Sequence, residues 1–196
     1  MSEGAWAIGL IFAPESVRRC SVEAAAEIGP AVKRKAEVAG VFTNAPLDEL
    51  AEIAELASLS LLQLHGEEGP SYCAEAARRT GCKVIKAARA KDAAAVQALR
   101  AYRDVDFHLL DAHVEGHRGG TGETFEWELA KTRGHGPPLI LSGGIAPENA
   151  AAAIEAVHPF AIDSASGTEA ARGRKDPAKV RALMRAAAQA SAPAAA

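Results

Sequence analysis

PPLILSGGIAPENAAAAIEAVHPFAIDSASGTE, residues 137–169, contains two short apolar runs that each end in a turn of small residues. Leu139–Leu141 lies between Pro-Pro and Gly-Gly, and Phe160–Ile162 is followed by Asp163 and the turn Ser164–Gly167. Short apolar runs with such flanks are typical of buried strands. Pro147 opens an alanine-rich segment between them, which predicts a helix. The segment therefore predicts a β-α-β unit with parallel strands.

The two turns predict an anion site. A right-handed crossover places both turns at the same edge of the sheet. Glycines allow backbone N–H groups to approach an anion closely, and a helix N-terminus adds positive potential. A single Gly-Gly would be an ordinary turn, but Gly143-Gly144 and Gly167 follow consecutive strands. In (β/α)8 barrels the phosphate site lies in the loops after strands seven and eight. We therefore predict that the turns bind phosphate.

Apolar runs in the rest of the chain predict five more strands, starting near residues 5, 35, 59, 83 and 107, and helical patterns fill the intervals. Such alternation predicts parallel strands and an α/β fold. A doubly wound sheet is the alternative, but no Gly-x-Gly-x-x-Gly follows an early strand. We predict a (β/α)8 TIM-barrel type fold lacking the first strand and helix, so that the chain supplies seven strands. Residues 1–190 would form a single domain and residues 191–196 a disordered tail.

The composition is that of a soluble globular protein, with 48% hydrophobic residues, 24% charged residues and a net charge of −3. The lack of a dense Lys/Arg stripe argues against a nucleic-acid partner. No stretch is long enough to cross a membrane, and no basic residue precedes the apolar run 5–13, so we read it as a strand. The three cysteines form no metal spacing and no even set, which indicates a reducing compartment and predicts a cytoplasmic protein.

Asp111 ends the predicted fifth strand, at the edge where catalytic residues of a barrel lie. Leu109 and Leu110 precede it, so its carboxyl could be partly desolvated and serve as a general acid. A capping or turn aspartate explains the position equally well. The glycines of the loop 119–122 could form a mobile cover, or belong to a flexible surface loop.

Three further side chains follow predicted strands. Strand alternation sends Gln63 and His65 to the same side, where His65 could bind a substrate hydroxyl or carboxylate, or simply pack the barrel mouth. Arg18 could hold an anionic group, although a surface arginine is the simpler interpretation. Asp163 could bind a sugar hydroxyl or tie down its loop. No histidine pair has helical metal-ligand spacing, so we predict no metal site.

Together these pieces resemble the phosphoribosylanthranilate isomerase family of tryptophan biosynthesis. The stretches that carry the resemblance include GLIFAPESVRRCS, QLHGEE, KVIKA, LLDAHVEGHRGGTGETFEW, LILSGGIAPENAAAAI and AIDSASGTE. The resemblance implies a cofactor-free Amadori rearrangement of an aminoaldose, N-(5-phosphoribosyl)anthranilate, to the aminoketose 1-(2-carboxyphenylamino)-1-deoxyribulose 5-phosphate. The partner it implies is this small phosphosugar, and the sequence leaves monomer and homodimer open.

The resemblance also implies roles for individual residues. Asp111 matches the general acid that acts on the furanose oxygen. Arg18, in Ser16-Val17-Arg18, matches the arginine that binds the anthranilate carboxylate, with Val17 in place of the usual proline. The remaining matches are His65 and Asp163, which line the site, and the phosphate-binding turns with Gly143, Gly144, Ser166 and Gly167.

One departure concerns the general base. The family begins with a strand ending in Lys-Ile-Cys-Gly, whose cysteine removes the C2 proton, and the match to this chain starts after that motif. We expect Cys73 on an outer helix and Cys82 at the start of a strand, which leaves Cys20 as a poor substitute. The sequence therefore predicts an isomerase whose activity the missing N-terminal strand could impair.

Two other functions stay open. Another phosphosugar barrel enzyme, related to indole-glycerol-phosphate synthase or ribulose-phosphate epimerase, would need a catalytic lysine or metal ligands at strand ends, and Lys86 is the strand-end lysine. A non-catalytic phosphate-ligand binder on a degraded barrel would explain an acid without a base.

Overall fold

The computed structural model describes residues 4–111, 127 and 129–190. The chain divides into two compact units, one comprising residues 1–87 and 101–108, the other residues 88–100 and 109–196. The predicted cover at 119–122 and the predicted tail at 191–196 lie outside the described residues. The assignment of residues 1–190 to a single domain stays a prediction.

Seven strands form one sheet, and each lies beside its neighbour in sequence, in the order β1 to β7. The registers of β1 with β2, β2 with β3, β3 with β4, and β6 with β7 are parallel. A doubly wound sheet reverses its order at a switch point, and this order does not reverse. The (β/α)8 type is therefore confirmed, with seven strands in this sheet. They are Ala7–Ile11 (β1), Glu37–Phe42 (β2), Leu61–Leu64 (β3), Lys83–Arg89 (β4), Phe107–Asp111 (β5), Leu139–Ser142 (β6) and Ala161–Ile162 (β7).

Helices alternate with these strands. A short antiparallel hairpin, which the sequence did not predict, precedes the last helix and is formed by Glu169–Ala171 (β8) and Arg174–Lys175 (β9). None of the described helices combines the length and apolar character that a membrane crossing requires. The helices are Val22–Val32 (α1), Leu47–Leu56 (α2), Pro70–Thr80 (α3), Ala93–Ala98 (α4), Ala150–Val157 (α5) and Pro177–Ala190 (α6).

The core of the first unit lies between its strands and the helices that follow them. Leu50 and Ile53 are three residues apart, so they share one face of α2, and both are buried. They belong to the same apolar cluster as Leu62 of β3 and Val84 of β4. Each such side chain contributes about 1.5–3 kcal/mol on burial. This packing fixes where the strands end, and the predicted site residues follow those ends.

Helix termini agree with the sequence in part. A serine before a helical pattern and a glycine after one predict Ser21 as the cap of α1 and Gly81 as the end of α3. Ser21 accepts the Ala24 N–H at 3.2 Å, and Gly81 has φ 68°, in agreement with both predictions. The Gly29-Pro30 pair predicts the end of α1, but the helix continues through Pro30 to Val32, and Gly29 packs closely against the backbone of Ala57.

Two further helix starts differ from the prediction. An asparagine two residues before Pro46 predicts Asn44 as the cap of α2, but Asn44 has φ 52° and its side-chain oxygen instead accepts the Glu67 N–H at 2.7 Å. Likewise, α5 begins at Ala150 and not at Pro147, because Asn149 folds back and accepts the Ala146 N–H at 2.9 Å. In both places an asparagine side chain satisfies a loop N–H, and the helix starts later.

Candidate active site

The turns after β6 and β7, residues 142–146 and 163–168, lie in direct contact, and we call them the paired turns. Gly143 and Gly144 have φ 92° and 66°, a conformation that glycine adopts without strain. A Cβ on Gly167 would overlap the carbonyl oxygen of Ile145 and come within 2.9 Å of the Ala146 Cα. Glycine at position 167 therefore allows the two backbones to touch.

Most of the side-chain hydrogen bonds that hold the paired turns end on oxygen atoms of the turns. The Ser164 hydroxyl donates to the Ile145 carbonyl at 2.6 Å. Lys175 of β9 donates to the Ala165 carbonyl at 2.7 Å and to the Thr168 hydroxyl at 2.8 Å. These bonds order the turns through their acceptors, and the lysine adds positive charge to the second turn. Both features suit an anion that is bound by backbone N–H groups.

Asp163 links the two turns at their base. Its Oδ2 accepts a hydrogen bond from the Ser142 hydroxyl at 2.9 Å, and its N–H donates to the Leu141 carbonyl at 2.8 Å. This supports the interpretation that Asp163 ties down its loop. A carboxylate accepts several hydrogen bonds, so the same residue is also able to bind a sugar hydroxyl.

Asp111 ends β5 in the second unit, where its backbone carbonyl accepts the Ala90 N–H at 2.9 Å. Leu109 and Leu110 are fully buried, and Asp111 itself is half-buried. The role of Asp111 as general acid stays a prediction.

In the first unit, His65 follows β3 and is exposed. Its ring Nε2 lies 2.7 Å from Nε2 of Gln63, so the two side chains are on the same side, as strand alternation predicts. The Gln63 amide nitrogen is a donor only, so His65 Nε2 accepts in this contact. An exposed imidazole at a strand end is able to bind a polar substrate group.

Arg18 lies in the loop after β1, also in the first unit. The Ser16 hydroxyl accepts the Arg18 N–H at 3.2 Å, and the Ser16 N–H donates to the Ala13 carbonyl at 3.1 Å. These local bonds hold the loop without the proline that the family has at position 17. Arg18 as a whole is half-buried, and its planar guanidinium suits a carboxylate ligand.

The three cysteines lie as predicted. Cys73 is buried on α3, and Cys82 is buried immediately before β4. Cys20 is half-buried and its thiol lies 3.4 Å from the Ser21 carbonyl. Burial raises the pKa of all three thiols, which disfavours the thiolate that a base would need. The chain's cysteines are therefore poorly suited to remove a substrate proton.

Sequence reasoning missed the environment of Lys86. We treated it only as a candidate catalytic lysine, but it is 4% exposed and ion-paired with Glu68. This burial argues against the alternative enzymes that use a strand-end lysine. Within residues 4–111, 127 and 129–190, no three His, Cys, Asp or Glu side chains are grouped so that they could hold a metal ion.

Comparison with known proteins agrees with this geometry. The family model for N-(5'phosphoribosyl)anthranilate (PRA) isomerase matches residues 1–186. An N-(5'-phosphoribosyl)anthranilate isomerase from Moorella thermoacetica is 45% identical over 187 residues, which are 95% of this chain and 81% of the relative.

Two solved structures are also similar. Phosphoribosyl anthranilate isomerase from Thermotoga maritima matches with a TM-score of 0.85 and 35% identity, covering 96% of this chain and 90% of that one. A phosphoribosyl anthranilate isomerase in complex with reduced 1-(o-carboxyphenylamino)-1-deoxyribulose 5-phosphate matches with a TM-score of 0.83, 32% identity and the same coverages. The chain therefore belongs to the N-(5'-phosphoribosyl)anthranilate isomerase family.

Proposed function

We propose that the chain catalyses the Amadori rearrangement of N-(5-phosphoribosyl)anthranilate to 1-(2-carboxyphenylamino)-1-deoxyribulose 5-phosphate in tryptophan biosynthesis. The observation that carries the proposal is the contact between the paired turns, in which Gly167 lies against the backbone of Ile145 in a chain of this family. The reaction is an intramolecular redox isomerisation, and we propose that it needs no cofactor.

The paired turns would bind the 5-phosphate. Gly143, Gly144, Ser166 and Gly167 would offer backbone N–H groups, and α5 follows the first turn with its positive end towards the site. Lys175 adds charge beside the second turn without occupying it, because its Nζ is bonded to turn oxygens. Binding of the phosphate would hold the sugar ring in a fixed position relative to the catalytic groups.

Asp111 would act as the general acid. It would donate a proton to the furanose oxygen while the lone pair of the anilino nitrogen forms a C1=N bond, so that the C1–O bond breaks and the ring opens. Loss of the C2 proton then gives an enolamine, and tautomerisation gives the C2 ketone. We assign the base for the C2 proton to no described residue, in keeping with the raised pKa values of the cysteines.

The other predicted residues would hold the substrate. Arg18 would bind the anthranilate carboxylate, since its planar guanidinium can make two parallel hydrogen bonds. His65 and Asp163 would bind sugar hydroxyls. We also propose that the enzyme is cytoplasmic and a monomer or homodimer, which cell fractionation and light scattering would determine.

The test is to assay isomerase turnover and complementation of a tryptophan auxotroph that lacks this step. Asp111→Asn is expected to lower kcat by about 10²–10⁴-fold while the reduced product analogue still binds. Asp104→Asn is a matched control, because that exposed carboxylate lies just before the opposite end of β5. Near-normal kcat after Asp111→Asn would assign the acid elsewhere, and failure of the unchanged chain to bind the analogue would contradict the proposed function.

A further inference from the structure

A buried ion pair lies beneath the loops of the first unit. Lys86 Nζ and Glu68 Oε2 are 2.7 Å apart, and the two side chains are 4% and 1% exposed. Removing charges from water is costly, and a buried pair persists only when further hydrogen bonds satisfy its atoms. Neither residue takes part in the chemistry proposed above.

The pair is bonded to two loops. Lys86 Nζ also donates to the Gly66 carbonyl at 2.7 Å, while Glu68 Oε1 accepts the Asn44 N–H at 2.7 Å. Asn44 in turn accepts the Glu67 N–H at 2.7 Å through its side chain. We call Asn44, Gly66, Glu68 and Lys86 the loop network. It joins the loops after β2 and β3 to a side chain of β4.

The loop network adjoins the backbone of His65 on its C-terminal side, and a bond to β2 holds the N-terminal side. The His65 N–H donates to the Phe42 carbonyl at 2.9 Å, and the next carbonyl, that of Gly66, accepts from Lys86. A Cβ on Gly66 would come within 2.6 Å of the Asn44 Cγ and 2.8 Å of the Asn44 nitrogen. The dihedral angles on both sides of His65 are therefore fixed by bonds, which removes conformational freedom before a ligand arrives.

A charged pair holds the loop backbone better than an apolar pair would. Apolar residues of the same volume commonly give equal or greater stability, so a buried pair is a poor choice for stability alone. An ammonium group, however, offers three donors from one atom. In Lys86 two of them reach a loop carbonyl and a loop carboxylate, and the Tyr102 ring lies 5.6 Å from the nitrogen.

We propose that Lys86 and Glu68 are positioning residues for His65, acting on ligand binding through the Gly66 carbonyl and Asn44 without touching the substrate. The inference rests on the proposed function, because His65 is expected to contact the phosphosugar there. Its specific consequence is that the effects of Lys86 and His65 on affinity are coupled and do not add.

The experiment is a double-mutant cycle on affinity for the reduced product analogue, measured by calorimetry. Lys86→Met and His65→Ala are each expected to weaken binding by about tenfold, and the double variant by little more than His65→Ala alone. An additive loss, about hundredfold in the double variant, would overturn the proposal. Unchanged affinity in Lys86→Met would overturn it as well, while binding by the unchanged chain would leave the proposed function intact.

Two further variants keep the test valid if Lys86→Met does not fold. Glu68→Gln with Lys86→Met removes both charges together, and Asn44→Gly removes the acceptor for the Glu67 N–H without strain at φ 52°. Both are expected to show the same coupling to His65→Ala, and additivity in both would refute the proposal. Arg79→Met is the matched control, because its ion pairs with Asp48 and Glu75 are exposed, and its affinity should be unchanged.

The ring nitrogens of His65 give a second readout. In the variant that combines Glu68→Gln with Lys86→Met, the ¹⁵N signals of the two His65 ring nitrogens are expected to move towards each other, as in an imidazole that exchanges between its tautomers. The reason is that the ring would no longer be held beside Gln63. Signals identical to those of the unchanged chain would show that the pair does not position His65. No binding of the analogue by the unchanged chain would overturn the proposed function, and this inference with it.

Discussion

The paired turns and the loop network both order loops after parallel strands, but they use different bonds. In the loop network a buried lysine and glutamate bind backbone groups of both kinds. In the paired turns, small residues bring two backbones together, and hydroxyls and Lys175 bind mainly oxygen atoms. The difference fits the ligand groups that each region would receive.

A phosphate dianion needs many N–H donors at short range, and the carboxylate within the paired turns, that of Asp163, accepts from the Ser142 hydroxyl. Loops that receive it are best ordered through their carbonyls, because a carboxylate such as that of Glu68 would take the N–H groups and repel the ligand. A sugar hydroxyl needs only one well-placed side chain, so its loop tolerates a charged pair beneath it. Substitutions in each region, ordered here from the largest expected effect to the smallest, distinguish these two ways of ordering a loop.

The largest effect is expected from Lys86→Met. It leaves the Glu68 carboxylate buried without its partner, which costs about 3–5 kcal/mol in the free energy of unfolding. Glu68→Gln with Lys86→Met removes both charges and should restore most of that loss. Urea denaturation of the single and double variants measures both, and equal losses in the two would show that charge burial is not the cause.

Gly167→Ala should be next, because the added methyl cannot be accommodated without separating the paired turns. The atoms it would meet are backbone atoms of Ile145 and Ala146. Overpacking of this kind costs about 1–3 kcal/mol, so affinity for the product analogue should fall by up to about hundredfold. Gly69→Ala is the control, since a Cβ there has no neighbour within 4 Å. Unaltered affinity in Gly167→Ala would exclude the paired turns as the phosphate site.

Gly144→Ala should have a smaller effect. The space around a Cβ at this position is open, so the cost is conformational, from φ 66° alone. A left-handed conformation costs other residues about 1–2 kcal/mol, which predicts an affinity loss of about tenfold if the turn keeps its shape. Calorimetry measures it, and a loss greater than that of Gly167→Ala would reverse the order of importance assigned to the two turns.

Strand positions and the paired turns were accessible from sequence because they depend on local patterns. Apolar runs, glycine turns and their spacing predicted seven strands, and these seven form the main sheet of the described part, while the β8–β9 hairpin was not predicted. The predicted same-side placement of Gln63 and His65 also depends only on strand alternation.

The loop network was not accessible, because its bonds join residues 18 to 24 positions apart. Local reasoning made Asn44 a helix cap, since asparagine before proline is typical of one, and nothing nearby indicates Glu67 as the alternative donor. One signal was present. A lysine within the apolar strand KVIKA must be paired if it is buried, so this stretch could have indicated a carboxylate partner for Lys86 without identifying it.

Cys20→Ser should have the smallest effect and bears on catalysis. If Cys20 were the base for the C2 proton, the substitution would remove turnover. Burial raises the pKa of its thiol, so at neutral pH it is less able than a free cysteine to act as a base. We therefore expect kcat to stay within about twofold, since only groups acting in proton transfer contribute the ~10²–10⁴-fold of a positioned base.

The raised pKa of Cys20 also sets the expected pH dependence of the free energy of unfolding. Because the folded-state pKa of Cys20 lies above the unfolded value, the thiol favours the folded state below that unfolded value, and the contribution is lost as the pH rises through the folded pKa. Cys20→Ser should thus make the free energy of unfolding slightly less sensitive to alkaline pH and leave it unchanged near pH 7. Chemical denaturation at both pH values measures this, alongside the turnover assay. A loss of turnover with unchanged unfolding would instead identify Cys20 as the missing base.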